Sequence, residues 1–265
     1  MTDMRPQWAT LLDESATQWE WRAGRLYHAD ALANPYQPPR MGFWRRVLLE
    51  HVYAAHNASR SVRRSLGRLL AELAPDEWAL NIGAGLKRLH SRVINIDLHD
   101  SDVIDVVTRG QRLPFASNSL ALAISQEVLE HLQDPQETIK EVHRVLKVGG
   151  RFYCQVPFII GYHHGPHDYW RFTREGLEQL FAPQHWSIQE ISTSVGHGTG
   201  FYRIAVEFFA VSASAMHRKL YVPVKALFAI ILLPLKAADL LTPFAAEADR
   251  IPGGYLCVAT KRGGS

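Results

Sequence analysis

An α/β fold built on a doubly wound, mostly parallel sheet is the class this sequence predicts, and three observations predict it. Between Trp78 and Pro157 short apolar runs alternate with helical segments, the order that lays helices on both faces of a parallel sheet. The first of those runs, Ala79-Leu-Asn-Ile, passes straight into Gly83-Ala-Gly85, where missing side chains let the backbone turn sharply and let a ligand approach the peptide groups. The second run ends at Asp97, fourteen residues beyond Gly83, a carboxylate placed to accept hydrogen bonds from a ligand's hydroxyls.

Composition narrows the partners. With 47% hydrophobic and 21% charged residues in 265, the chain has material for a core, and disorder is excluded as a description of the whole. The formal charge of +3 is too small to announce a nucleic-acid binder, so nucleic acid is not an expected partner. Two cysteines, Cys154 and Cys257, cannot build a disulfide framework and fit a reducing, cytoplasmic setting. The start, Met1-Thr-Asp-Met-Arg-Pro-Gln-Trp, lacks the apolar stretch of a signal peptide. The most apolar region, Tyr221 to Phe244, is broken by Lys225, Lys236 and Asp239 and is too interrupted to span a bilayer.

Taken in order, residues 1–75 read as an N-terminal helical extension, with Pro35, Pro38 and Pro39 preceding two helices. The second, about 59–73, spaces Val62, Leu66, Leu69, Leu70 and Leu73 on one face, with Arg60, Arg63, Arg64 and Arg68 mostly elsewhere. Pro75 stops it. Residues 76–265 read as one domain with strands at Trp78–Ile82, Val93–Ile96, Val103–Val107, Leu120–Ser125 and Arg151–Val156. Before the last of these, Asp134 is an N-cap, Pro135 suits the first helical position, Ile139, Val142, Val145 and Leu146 form the buried stripe, and Gly149 and Gly150 are expected to end the helix. A short helix follows at about 173–181, a helical insertion occupies about 201–244, and a final strand runs over Gly254–Thr260.

The run Leu113-Pro-Phe, then Ser119-Leu-Ala-Leu-Ala-Ile-Ser-Gln-Glu-Val-Leu-Glu-His131, then Arg144-Val-Leu-Lys-Val-Gly-Gly150 resembles the class I S-adenosylmethionine-dependent methyltransferases. His167-Asp-Tyr-Trp-Arg-Phe-Thr173 resembles a subgroup associated with glycan gene neighbourhoods. The resemblance implies a Rossmann-like sheet and S-adenosyl-L-methionine as cofactor. It places Asn81, Gly83, Ala84 and Gly85 around the methionine part, Asp97 at the ribose, Leu98 and Gly110 near the adenine, and Gln126 and Glu127 along the donor pocket. The implied reaction is methyl transfer to a hydroxyl, with an amine second, of a small molecule or glycan. His131, His167 and Asp168 are the candidate catalytic bases, because imidazole as a class titrates near neutrality.

The pattern also departs from the family's. Arg109 stands where an acidic acceptor for adenine is usual, Ala121 replaces a common Asp, Asn81 replaces a common acidic residue, and only seven residues separate Gly85 from Val93, too few for the usual crossover helix. These departures support the competing function, a non-catalytic binding or regulatory protein on the same fold. A nicotinamide dehydrogenase is disfavoured, since Arg88 stands where a third glycine would be wanted. The run Glu127, Glu130, His131, with one of His163, His164 or His167 to complete it, resembles the divalent-metal site of small-RNA 2′-O-methyltransferases, but the same run is widespread in metal-free relatives and no metal is expected. The aromatic loop Phe158 to Phe172 suits stacking on a sugar, and the insertion suits a lid, a homodimer surface or peripheral contact with the inner membrane face. Acceptor specificity is expected on the arginine face of residues 60–68.

Overall fold

A computed structural model describes residues 5–13, 17–33, 59–108 and 112–263. The first of the two expected N-terminal helices, and the Arg109 and Gly110 positions, lie outside them. The strands are β1 (Trp19–Arg22), β2 (Arg25–His28), β3 (Ala79–Ile82), β4 (Val93–Asp97), β5 (Val106–Val107), β6 (Leu120–Gln126), β7 (Leu146–Pro157), β8 (Trp186–Val195) and β9 (Gly254–Lys261). The α-helices among the described residues are α1 (Ala29–Ala33), α2 (Arg60–Ala71), α3 (Pro135–Val145), α4 (Arg174–Leu180), α5 (His197–Ser214) and α6 (Tyr221–Ile231).

All nine described strands form one sheet in the order β1-β2-β5-β4-β3-β6-β7-β9-β8. From β2 through β7 every neighbouring pair is parallel, and β9 enters antiparallel between β7 and β8. The central strands read as unbroken apolar runs because both faces are covered. On one face α3 packs Ile139, Val142 and Val145 against Leu80, Ile94, Phe152 and Ala259. On the other, α2 packs Val62, Leu66 and Leu69 against Ala79, Val93, Leu122, Tyr153 and Val258. Each such aliphatic side chain stabilises by roughly 1.5–3 kcal/mol relative to exposure.

The helix ends follow the local sequence. Ser59 accepts from the Val62 N–H at 3.2 Å and opens α2, while Asp134 accepts from the Glu137 N–H at 3.2 Å and opens α3. The expectation that Gly149 and Gly150 end α3 is corrected: the helix stops at Val145, Leu146 is already extended, and Gly149, at φ +80°, lies where the register between β6 and β7 shifts.

The N-terminal segment is more than a helical extension. Trp19–Arg22 and Arg25–His28 form a hairpin whose turn uses Gly24 at φ +78°, and β2 joins the sheet edge beside β5. The alternation is too short to read as strand, and its apolar face becomes visible only once Trp21 meets Trp8 at 5.6 Å and Trp8 meets Phe115 edge-on at 6.2 Å. Strand β8 was likewise not expected, since its half-buried edge position leaves a mixed sequence.

Between β3 and β4 there is no helix. Residues 83–92 cross to the parallel strand as turns, and Arg88 occupies the space with a bidentate pair to Asp105 at 2.9 and 3.0 Å plus bonds to the Val93 and Val103 carbonyls. A single planar side chain thus satisfies backbone carbonyls that a crossover helix would otherwise cover.

Candidate active site

In an open α/β sheet the ligand crevice lies beyond the carboxyl ends of the strands where the strand order reverses. Here that point is β3, flanked by β4 on one side and β6 on the other. A cleft of about 620 Å3 opens there, lined by Ile82 and Gly83 after β3, Asp97 and Leu98 after β4, Thr108 after β5, and Glu127 and Val128 after β6. The N-terminus of α3 and the segment Gly165 to Tyr169 close its other walls.

Gly83 and Gly85 both hold left-handed backbone, at φ +67° and +61°. A Cβ on Gly83 would come within 2.3 Å of Val128 Cγ2, so the glycine lets β3 turn directly under the chain leaving β6. A Cβ on Gly85 would meet nothing within 4 Å and would project into open space. Asp97 fastens this turn: its Oδ2 accepts from the Gly85 N–H at 2.8 Å and its Oδ1 from the His99 N–H at 2.9 Å. Its carboxylate therefore sits at the cleft wall in a fixed orientation.

Glu127 is the third anchor and adopts φ +56°, an uncommon conformation for a residue with a Cβ and one that clusters at functional sites. Gln155 donates to its Oε1 at 3.3 Å, and the insertion contributes Arg203 of α5, 2% exposed, whose charge acts on Glu127. Burial pushes the Glu127 and Glu130 carboxyls up from the ordinary carboxylate range, and for Glu127 repulsion from Glu130 adds to the rise.

The candidate bases separate in space. His131 donates from Nδ1 to the His167 carbonyl, because a carbonyl only accepts, and its Nε2 is turned toward Glu130 Oε1 at 3.7 Å. Asp168 is almost fully buried, accepts from Arg171 at 2.5 and 2.6 Å and from the His163 N–H at 2.9 Å, and does not line the cleft. Burial opposes its ionisation, but the Arg171 guanidinium holds it below its usual range. His167 lines the cleft, with its ring 5.5 Å from that of Tyr169.

Residues 80–154 match a family model described as a methyltransferase domain. Over these residues the chain is similar to methyltransferase domains. A curated relative is the demethylmenaquinone methyltransferase of Listeria monocytogenes serotype 4a, 27% identical over 126 residues, which are 46% of this chain and 52% of the relative. The chain thus spans about half the length of that relative. Similar solved structures include the geranyl diphosphate C-methyltransferase of Streptomyces coelicolor A3(2), with 15% identity, 87% of this chain and 84% of that one covered, and a TM-score of 0.49. Another is a phosphoethanolamine N-methyltransferase 2 of Haemonchus contortus, with 15% identity, 86% and 62% covered, and a TM-score of 0.44.

Of the sequence candidates, Gly83, Asp97, Leu98, Glu127, His131 and His167 line one cleft. Asn81 is turned into the sheet, where its Nδ2 donates to Asn95 at 3.2 Å, and Gln126 pairs with Gln155 at 3.3 Å. Ala84 packs toward Ile104 and Val107 rather than into the cleft. The arginines of α2 do not line the cleft either, and Arg68 pairs with Glu190 at 3.2 Å. Sequence reasoning missed Arg203 and the part played by Asp134, Glu137 and Thr138 as walls. The helix cap at Asp134 was a signal, but only the packing of α3 aims its first turn at the cleft.

Proposed function

We propose that this chain transfers a methyl group from S-adenosyl-L-methionine to a hydroxyl, or as second choice an amine, of a small molecule or glycan. The carrying observation is the charge of the cleft. Among the described lining residues are the carboxylates of Asp97, Asp134 and Glu137, with Glu127, whose ionisation burial opposes, as a fourth acidic side chain, and no lysine or arginine. Such a wall favours a cationic donor and disfavours an anionic acceptor. The glycine turn with open space at Gly85 and the fixed carboxylate of Asp97 fit a nucleoside ligand. Asp97 would hold its ribose hydroxyls, Thr108 and Leu98 its base, and Gly83 and Glu127 its amino-acid end.

When bound, that cofactor supplies a methyl group on an already activated sulfonium, so the chain's task is alignment and proton removal. His167, at the cleft wall, is the residue placed to take an acceptor's hydroxyl proton. His131 positions it by gripping the His167 carbonyl, and Asp168 with Arg171 locks the loop that carries His167. Tyr169 and Trp170, each 43% exposed, offer rings beside the cleft mouth on which a sugar face can stack.

A lipid-linked acceptor is favoured by the insertion. Phe201, Ile204, Phe208 and Val211 recur at helical spacing along α5 and stay exposed, as do Val222, Leu227 and Ile230 of α6. Besides the buried Arg203, residues 201–236 hold Arg218, Lys219, Lys225 and Lys236 against the single carboxylate of Glu207, which pairs with Lys225. No helix among the described residues is long and apolar enough to cross a membrane. The reading is therefore contact with an anionic membrane surface rather than insertion across it.

Calorimetric titration with S-adenosylmethionine and its demethylated product tests the enzyme reading, using wild type and Asp97→Ala. Loss of two charge-assisted contacts predicts a roughly 10–100-fold weaker affinity in the variant. No binding of either ligand to folded wild type overturns the proposal, and binding indifferent to Asp97→Ala overturns the site. Binding without any methylated product from a panel of hydroxyl and amine acceptors would favour the non-catalytic reading.

A further inference from the structure

Behind the cleft, three ligand-type side chains converge in a way that methyl transfer does not require. After β6 the chain makes a single 3-10 turn, Leu129–His131, which drives Glu130 into the interior with no exposed surface and leaves His131 beside it. The loop after β7 returns His163 to the same point. Glu130 Oε1 lies 3.7 Å from His131 Nε2 and 3.6 Å from His163 Nε2, and the three ligand atoms all lie within 4.8 Å of one another.

The hydrogen bonding of this cluster is incomplete. Both Glu130 carboxylate oxygens are buried and make no hydrogen bond, although the Glu130 carbonyl is taken by the Tyr169 N–H at 2.8 Å. A buried carboxylate without a donor is costly and calls for a partner that the protein itself does not supply. The two imidazoles are oriented from behind. His131 donates from Nδ1 to the His167 carbonyl, and His163 Nδ1 faces Asp168 Oδ2 at 3.4 Å, with Asp168 itself held by Arg171. With Nδ1 turned away on each ring, both Nε2 atoms and one carboxylate oxygen lie on the same side, and His163 Nδ1 adds a further buried atom without a hydrogen bond.

We infer that Glu130, His131 and His163 form a binding site for one divalent first-row transition ion. Two imidazoles and one carboxylate suit manganese, iron, cobalt or zinc better than magnesium or calcium, which prefer all-oxygen sets. Bonds of about 2.1 Å at tetrahedral to octahedral angles put ligand atoms about 3.0–3.5 Å apart. The observed 3.6 and 3.7 Å are a few tenths of an ångström longer, and the two imidazole nitrogens, within 4.8 Å of each other, close by up to about 1.3–1.8 Å on binding. The carbonyl behind His131 is the kind of outer partner that metal-bound histidines keep, and Asp168 Oδ2, 3.4 Å from His163 Nδ1, stands within reach of the same role. Three protein ligands leave positions open, and His131 forms part of the cleft wall, so an open position is within reach of the acceptor side.

The test uses the full chain, stripped with chelator and titrated with cobalt(II), whose visible absorption reports coordination by nitrogen and oxygen. Stoichiometry is read independently by elemental analysis after loading with zinc. One ion per chain is expected, with binding lost or weakened at least 100-fold in Glu130→Gln and in His163→Ala, and weakened about 10–100-fold in Asp168→Asn. His164→Ala, an exposed neighbour in the same loop, should bind as wild type does. Thermal melting of each variant establishes that it is folded, and His163, a third exposed, is the variant least exposed to misfolding. Failure of folded wild type to take up cobalt or zinc overturns the inference, and so does uptake unaffected by Glu130→Gln and His163→Ala. Because the readout is metal uptake, its failure leaves the methyl-transfer reading standing, and loss of cofactor binding in the titration above leaves this one standing.

Discussion

Replacing Gly83 with alanine tests the account of the cleft floor. Gly83 sits at φ +67°, where a residue with a Cβ is strained by about 1–2 kcal/mol, and its new methyl would stand 2.3 Å from Val128 Cγ2. Valine is stiff at χ1, so this atom cannot swing aside freely, and overpacking of this kind costs about 1–3 kcal/mol. The two effects together predict a loss of about 2–5 kcal/mol, which for a chain of this size lowers the melting temperature by roughly 4–20 °C. Urea denaturation of Gly83→Ala, Val128→Ala and the double variant measures it as a cycle. Val128→Ala removes the clashing methyl, so the double variant should recover the overpacking share and retain the backbone share, giving a coupling of about 1–3 kcal/mol. A Gly83→Ala protein within 0.5 kcal/mol of wild type would refute the reasoning, as would a cycle with no coupling.

Two other outcomes follow from the packing and charge. Burial alone would raise the Glu141 carboxyl, but hydrogen bonds from Arg144 at 2.8 and 2.9 Å and from the Leu113 N–H at 3.0 Å hold it below its usual range. Its folded value is depressed, so its contribution is complete above the unfolded value near 4.5 and is lost as pH falls through the lower folded one. Stability measured from pH 6 to pH 3 should therefore fall less steeply in Glu141→Gln, whose cost at pH 7, about 1–3 kcal/mol, should shrink in acid. For the insertion, sedimentation with vesicles containing anionic phospholipid should carry down the wild type, weaken with salt, and drop about tenfold or more in Phe208→Asp. Equal sedimentation with neutral vesicles, or a concentration-dependent dimer without vesicles, would assign the apolar face to something else.

Much of the fold was legible because local rules and packing agree. The apolar runs at 79–82, 93–97 and 120–126 are buried on both faces and announce themselves as strands, and the helices opened by Ser59, Asp134 and Thr173 begin where their caps stand. What local rules cannot show is which edge a short amphipathic pair will join, and so the hairpin at 19–28 and the mixed strand at 186–195 went unseen. The missing crossover helix was legible from spacing, whereas its replacement by the Arg88–Asp105 pair was not, since the two residues are seventeen apart and meet only across β4 and β5.

The site divides in the same way. Sequence by itself pointed to the glycine turn and the carboxylate at Asp97, because a sharp strand-to-ligand turn demands particular residues at fixed offsets along one chain, and the family resemblance added Glu127, which does line the cleft. Only the tertiary structure decided that Asn81 faces inward to Asn95, that Asp168 belongs to Arg171, that the α2 arginines lie away from the cleft, and that Arg203 reaches Glu127 from an insertion more than seventy residues later. The convergence of Glu130, His131 and His163 is of this second kind. Its geometry depends on how the loop after β7 folds back, and hydrogen-bond partners for buried charge are set by that approach in space, which residue order does not encode locally.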